Sequence, residues 1–397
     1  MLYNFKSYYN LLHMMKLPPL DKLEVSVHDA LTNKIKKEIT ESGDSISFSS
    51  FMESVLYDHE YGYYMGNKKK FGEEGDFITA PMISDIFTKC FLNVFHKSFS
   101  NLPSIILELG AGNGQFAFDL LIAARKNNIQ IDQYLIYEIS ENTIKKQKEI
   151  FRNKLTNELF SKIFWVDEIP ENFDGIIFAN EFLDAFPTNI YEIKNEKIYE
   201  RKVNFKNNQF GWNIDDNAIP NFECPIDITN LPTGYIFEYS KKLDDWLKSL
   251  LNTVNKTQIF FVDYGFHQQE LFHQDRIEGT LMCHYKHYAH ANPFEFLGAQ
   301  DITWHINFSQ IANVAKNEKC TIGGFVSQAN FLINAGALDL LAEYNPNNIS
   351  EFKTQTNAFQ KLISPAEMGD LVKVLSINKN ADINTMGFNK NDRTFQL

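Results

Sequence analysis

The apolar run Ile105-Ile-Leu-Glu108-Leu109 leads without a spacer into Gly110-Ala-Gly112-Asn-Gly114-Gln115, and apolar residues then recur at 116, 117, 120, 121 and 124. A strand, a glycine bend and a helix in immediate succession constrain this chain more than any other feature. Glycines at 110, 112 and 114 let the backbone turn sharply and leave the main chain open to a ligand, and the helix that follows starts with unpaired N–H groups. The pattern predicts an α/β fold with a small-molecule cradle at the end of this strand. Taken alone, the same three glycines would also suit a tight junction that closes directly onto a helix.

Two ligand classes use such a bend, and the spacing separates them. The dinucleotide fingerprint is G-x-G-x-x-G, with a diphosphate on the helix N-terminus. In this chain the third glycine comes one residue early, and Gln115 stands where that pattern requires glycine. Glu108 also lies two positions before Gly110. A carboxylate there attracts a cationic ligand and repels a diphosphate. The combination favours S-adenosylmethionine, whose amino group and sulfonium are both positive. Tyr134-Leu-Ile-Tyr-Glu138 then reads as a buried strand that ends in an acid, the position from which a carboxylate accepts from both ribose hydroxyls.

The rest of the chain sets this bend in a larger pattern. Residues 1–20 read as a tail and 21–100 as a helical cap. The cap has helices over Ser26–Glu41, from a Ser50-Phe-Met-Glu53 capping box through Tyr57, and over Ser84–Phe99. Residues 101–187 read as the first part of the cofactor domain, 188–255 as a β-rich insertion with a hairpin around Lys194-Asn-Glu196, and 256–397 as the second part. Asp174 to Glu181 is a further buried strand, and its end directs Asn180, Glu181 and Asp184 toward the crevice that Gly112 borders. Cys320–Gln328 reads as the last strand. Residues 266–300 read as a long histidine-rich loop. His284, His287 and His290 do not converge as three ligands on either a helix or a strand, so no metal is expected.

Composition excludes several classes. A net charge of -12 lacks the basic surface that a broad nucleic-acid footprint requires, and the Lys68-Lys69-Lys70 run suits a solvated loop. Cys90, Cys224, Cys283 and Cys320 stand far apart with no C-x-x-C pair, which predicts reduced thiols. No apolar stretch approaches the roughly 20 residues of a membrane span. Met1 to Leu20 lacks arginine and a small-residue cleavage site, so the expected location is cytoplasmic.

Six segments carry a family resemblance: Tyr61-Gly-Tyr-Tyr64, Gly75-Asp-Phe-Ile-Thr-Ala-Pro81, Glu108 to Gly114, Asn180-Glu-Phe-Leu-Asp184, Val262-Asp-Tyr-Gly265 and Gly279-Thr-Leu-Met-Cys-His-Tyr285. In this order they resemble the MidA family of class I S-adenosylmethionine-dependent methyltransferases, which includes a mitochondrial assembly factor for respiratory complex I. The resemblance covers nearly all of residues 46 to 335. It implies a Rossmann-like, seven-stranded methyltransferase sheet, S-adenosylmethionine as cofactor, and a protein arginine as acceptor, with a respiratory-complex subunit as one such partner. Glu108, Gly110, Ala111, Gly112, Gly114, Glu138, Asp167, Asn180, Thr79 and Pro81 are the residues expected to hold the cofactor. Many relatives have Pro-Glu where this chain has Pro81-Met82, so any role of that acid does not carry over.

The donor chemistry limits what the protein must supply. A sulfonium is already activated, so catalysis consists mainly of holding an acceptor in line, and positioning of that kind lowers a barrier by about 7 to 11 kcal/mol. A guanidinium with a pKa above about 12 arrives charged, and carboxylates must orient it and help its proton depart. Glu181 and Asp184 are the first candidates, with Asp76 and Glu238 behind them. Glu238, Tyr264 and His305 are expected at the substrate. Asp184 could equally cap a turn, and Glu238 could pair with a lysine. A small-molecule methyltransferase and a non-enzymatic assembly factor on the same scaffold remain the alternatives.

Overall fold

The computed structural model describes residues 17–66, 78–220, 222, 226–345, 347–383 and 386–397. They form two compact units, each drawn from separate stretches of chain.

One unit comprises 78–183, 245–267 and 306–397 and is built on an eight-stranded sheet. Its strands are β1 (Ile105–Leu109), β2 (Gln133–Tyr137), β3 (Ile163–Val166), β4 (Phe173–Asn180), β5 (Val254–Phe266), β6 (Thr321–Ser327) and β7 (Val372–Lys379), with Ile306–Asn307 added beside β5. The seven run in the order β3-β2-β1-β4-β5-β7-β6. All neighbours are parallel except β7, which runs antiparallel to both β5 and β6. The seven-stranded methyltransferase sheet implied by the resemblance is present. The central strands are apolar runs because both faces are covered: Ile176, Ile177, Phe178 and Ala179 of β4 are all buried. Chain order reverses between β1 and β4, which makes the carboxyl ends of these two strands the place for a ligand.

A phenylalanine cluster holds one face of this sheet. Phe91 on helix Asp85–Ser98 stacks on Phe331 at 4.5 Å and meets Phe178 of β4 edge-on at 4.9 Å. Phe116 stacks on Phe178 at 4.0 Å. This helix differs from the sequence reading, which gave it to a separate cap. Ile86, Phe87, Cys90, Phe91, Leu92, Val94 and Phe95 are all at most 1% exposed, too wide an apolar face for a surface helix. In chain order the sheet also continues beyond β6, the expected last strand. The last strand is β7, and it is internal although its sequence carries Lys373, Ser376 and Asn378. All three are buried, with Ser376 accepting from Gln258 Nε2 at 3.2 Å and Asn378 donating to the Ile383 carbonyl at 3.3 Å.

The second unit comprises the described residues up to 66 together with 184–244 and 268–305. Helix Lys22–Glu41 opens on a complete capping box formed by Asp21 and Glu24. Helix Phe48–Tyr57 is capped by Ser47, three residues before the expected Ser50. Strands Asn189–Lys194, Lys197–Lys206 and Gln209–Ile214 form consecutive hairpins. Their two-residue turns, Asn195-Glu196 and Asn207-Asn208, all have positive φ, as type I′ turns require. The histidine-rich stretch is not loop throughout. Met282–Tyr285, Tyr288–His290 and Asp301–Thr303 form a three-stranded antiparallel sheet, pinned by buried Cys283, Tyr285 and Ile302.

Phe91 touches more aromatic rings than any one strand provides, so Phe91→Ala should destabilise its unit by about 3 to 5 kcal/mol. Urea unfolding followed by circular dichroism measures this, and a loss below about 1 kcal/mol would show that the cluster is not the keystone of the sheet.

Candidate functional site

The carboxyl ends of β1, β2 and β4 lie side by side, with Leu109 paired to Tyr137 on one flank and to Ala179 on the other. They therefore deliver Gly110, Glu138 and Asn180 to one edge of the sheet. Gly110, Gly112 and Gly114 adopt φ of 66°, 54° and 80°, all left-handed. Side chains are also excluded by space. A Cβ at Gly110 would lie 2.8 Å from the Phe182 ring, and one at Gly114 would lie 2.6 Å from the Phe151 ring. Gly114 then serves as the N-cap of helix Gln115–Lys126 without a side-chain cap, and Asn113 Oδ1 accepts from Gln115 N at 3.0 Å.

Glu108 is buried, and Tyr134 on β2 donates its hydroxyl to Glu108 Oε2 at 2.7 Å. Burial pushes the carboxyl up to about 8, the Tyr134 bond opposes the shift, and the Glu138 charge adds to it. Glu138 is half-buried and accepts from Ser140 N at 3.1 Å. Asp167, just past β3, is exposed. Thr79 is the N-cap of the short helix Ala80–Ile83, in which Pro81 is buried.

The turn after β4 holds the candidate acid. Asn180 donates to Glu181 Oε1 at 3.1 Å. Its own Oδ1 is shut away from solvent with no hydrogen-bond partner among the described residues. Glu181 is half-buried with φ of 48°, and its N–H donates to the Val262 carbonyl at 2.8 Å. Asp263, which the sequence reading did not single out, fixes this turn from β5. It is 1% exposed, and its Oδ2 accepts from Phe182 N at 3.1 Å and Leu183 N at 2.8 Å. The signal was available in the sequence, because an acid that ends an apolar strand needs partners. Tyr264 follows it, half-buried, against the same core.

The remaining candidates belong to the other unit. Asp184 is buried, and its carbonyl accepts from Trp304 N at 3.3 Å. Glu238 is buried and accepts from Thr280 N, Thr280 Oγ1 at 2.9 Å and Leu281 N at 3.2 Å. Burial raises its pKa and these bonds oppose the rise. It therefore braces the Gly279–Leu281 turn, where a lysine partner had been one expectation. His305 donates its backbone N–H to the same Thr280 hydroxyl at 3.0 Å. Asp76 lies outside the described residues. Among the described residues no group of three or more His, Cys, Asp or Glu is arranged to hold a metal, and no helix is long and apolar enough to cross a membrane.

Comparison with known proteins agrees with this geometry. Residues 87–326 match the model of a family described as S-adenosyl-L-methionine-dependent methyltransferases. A crystal structure from Burkholderia thailandensis with S-adenosyl-homocysteine bound superposes with a TM-score of 0.92 at 33% identity, covering 96% of this chain and all of that one. A Drosophila melanogaster protein named protein arginine methyltransferase NDUFAF7 homolog, mitochondrial, is 25% identical over 91% of this chain and 88% of its own length. A Caenorhabditis elegans protein of the same name is 24% identical over 77% of each. Both names are mitochondrial, which overturns the cytoplasmic location expected from the sequence. The terminal-segment pattern on which that expectation rested lies largely outside the described residues.

Glu108 generates a pH prediction. Its pKa is higher in the folded chain than the ordinary 4.5, so the folded state holds the extra proton between 4.5 and about 8. Stability contributed by that proton is complete below the ordinary value and is lost as pH rises through the folded one. The unfolding free energy of Glu108→Gln should therefore fall less steeply across this window than that of the wild type. Urea titrations at several pH values test this, and parallel slopes would contradict it.

Proposed function

This chain belongs to the MidA family of S-adenosylmethionine-dependent methyltransferases and takes its methyl group from that donor, and we propose that the acceptor is an arginine side chain of a protein. The observation that carries the proposal is the turn after β4, where the half-buried carboxylate of Glu181 is held at the edge of the sheet that also presents the glycine bend. The names of the fly and nematode relatives support the same acceptor. A respiratory-complex subunit is the partner class that the resemblance suggests.

The residues present suit the donor. Three left-handed glycines leave the bend bare, and Glu108 and Glu138 stand at the ends of neighbouring strands. Asn180 Oδ1 is a buried acceptor that no described residue satisfies, a loss of about 1 to 3 kcal/mol that a ligand donor would remove. We assign Glu108 to the positive amino end of the donor, Glu138 to its ribose, and Ala111 with the three glycines to main-chain contact. Asn180, Asp167, Thr79 and Pro81 complete the proposed walls. When bound, the donor supplies a methyl group on a sulfonium, which needs no nucleophilic side chain from the protein.

Glu181 has the remaining task. Its carboxylate pairs with a guanidinium and fixes its plane, since an arginine matches a carboxylate in two parallel hydrogen bonds. The same carboxylate receives the proton that the guanidinium nitrogen loses as that nitrogen bonds to the methyl carbon and the carbon–sulfur bond breaks, its electron pair leaving with the sulfur as a neutral thioether. Asp184 and Asp76 are proposed as further acids of the same reaction, and Tyr264 and His305 as determinants of the peptide around the arginine, with Glu238 acting only through the Gly279–Leu281 turn that it braces.

The test is a lysate of cells lacking the protein, incubated with donor carrying a labelled methyl group. Wild type should label a protein on arginine, and Glu181→Gln should lower the rate by about 10²- to 10⁴-fold, the range of a general base. Equal labelling by both would remove Glu181 from the reaction. Label on small molecules alone would replace the protein acceptor.

A further inference from the structure

Helix Glu141–Lys154 is polar along most of its length, yet Gln147 on it is completely buried. Both ends of its amide are used. Gln147 Nε2 donates to the Gly112 carbonyl at 2.8 Å, and Gln147 Oε1 accepts from Trp165 Nε1 on β3 at 2.8 Å. The Trp165 indole is held in turn by Phe151 at 6.0 Å and by the Lys148 ammonium over its face at 4.9 Å. One buried amide therefore ties the middle of the glycine bend to the third strand of the sheet.

The bond has a directional consequence. A trans peptide is planar, with its C=O and N–H on opposite sides. Holding the Gly112 carbonyl against Gln147 therefore turns the Asn113 N–H away from the helix. No described residue accepts from the N–H groups of Ala111, Gly112 or Asn113. Gln147 and Phe151 are four residues apart and so lie on one helix face, and both approach the bare Cα of Gly114, whose Cβ would lie 3.6 Å from Gln147 Cγ and 2.6 Å from Phe151. The bend is closed on this side, and these three N–H groups have no acceptor among the described residues.

We infer that Gln147, oriented by Trp165, is a positioning residue for the methyl donor: it sets the Gly112–Asn113 peptide so that the bare N–H groups of the bend are aimed at the ligand. Packing alone would not require an amide here, since a methionine of similar length fills the same space without the orienting bonds. The inference rests on the assignment of the donor to this bend, so the test begins with that assignment.

Calorimetry of the full chain with S-adenosylhomocysteine comes first, and absence of binding by wild type would overturn both the assignment and the inference. Where wild type binds, Gln147→Met and Trp165→Phe should each weaken binding by about tenfold, the effect of one lost hydrogen bond of about 1.4 kcal/mol. Gln147→Glu supplies a readout that packing would not move. Ionised, it sets a carboxylate against the Gly112 carbonyl. Protonated, it donates to that carbonyl and still accepts from Trp165. Its dissociation constant relative to wild type at the same pH should therefore approach one in acid and rise by tenfold or more toward pH 8. A ratio that does not change with pH, or wild-type affinity in Trp165→Phe together with a lowered melting temperature, would reduce the pair to core packing. These two variants decide the matter even where Gln147→Met does not fold.

Discussion

The bare backbone of the glycine bend is the steric fact from which the rest of this unit follows. Phe182 approaches Gly110 from the turn after β4, and Phe151 approaches Gly114 from the helix after β2. Each ring occupies the space that a methyl group would need. With φ of 66° and 80° at the two positions, any other residue would add a left-handed penalty of about 1 to 2 kcal/mol to the clash. The bend is therefore clamped between two aromatic side chains contributed by its neighbours, and its openness to a ligand coexists with a fixed shape.

Three buried carboxylates in this chain illustrate how partners decide role. Asp263 accepts from the backbone N–H groups of Phe182, Leu183 and Tyr264. Glu238 accepts from both donors of Thr280 and from Leu281 N. Each is saturated by turns it organises, which is what a structural acid requires in a low-dielectric interior. Glu108 differs. A single tyrosine hydroxyl serves it among the described residues, and burial leaves its pKa at about 8. It is the one of the three with acceptor capacity left, at the strand end where a cationic ligand would use it.

The strand, bend and helix around Gly110 were legible because each obeys a local rule: an apolar run, glycines at the left-handed positions, and an apolar helical face. The elements that sequence reasoning lost break such rules. Strand β7 mixes polar with apolar residues on both faces, unlike a buried apolar run, but its polar side chains find partners inside the sheet, so it is buried between β5 and β6. The hairpin of the histidine-rich stretch turns through Lys286-His287, both at positive φ, where asparagine or glycine would have announced the turn. Asp263 shows in the sequence only as the acid that ends an apolar strand, and Gln147 shows not at all, because their partners are remote. Each acts on backbone more than 30 residues away, on Phe182 and Gly112, and no local pattern reports that.

The placement of Glu181 shows the same long-range logic in energetic form. A non-glycine residue at φ of 48° costs about 1 to 2 kcal/mol, and Asn180 at the end of its own strand bonds its side chain but not its backbone N–H. Three consecutive N–H groups, of Glu181, Phe182 and Leu183, are instead bonded to Val262 and Asp263 on β5. At about 0.5 to 1.5 kcal/mol net for each bond, with charge-assisted ones stronger, the three together exceed the strain. The acid thus takes its position from the neighbouring strand, and that strand is anchored in the middle of the sheet by β4 on one side and β7 on the other. For the alignment proposed for Glu181, this sets the carboxylate on rigid elements that do not themselves take part in the chemistry.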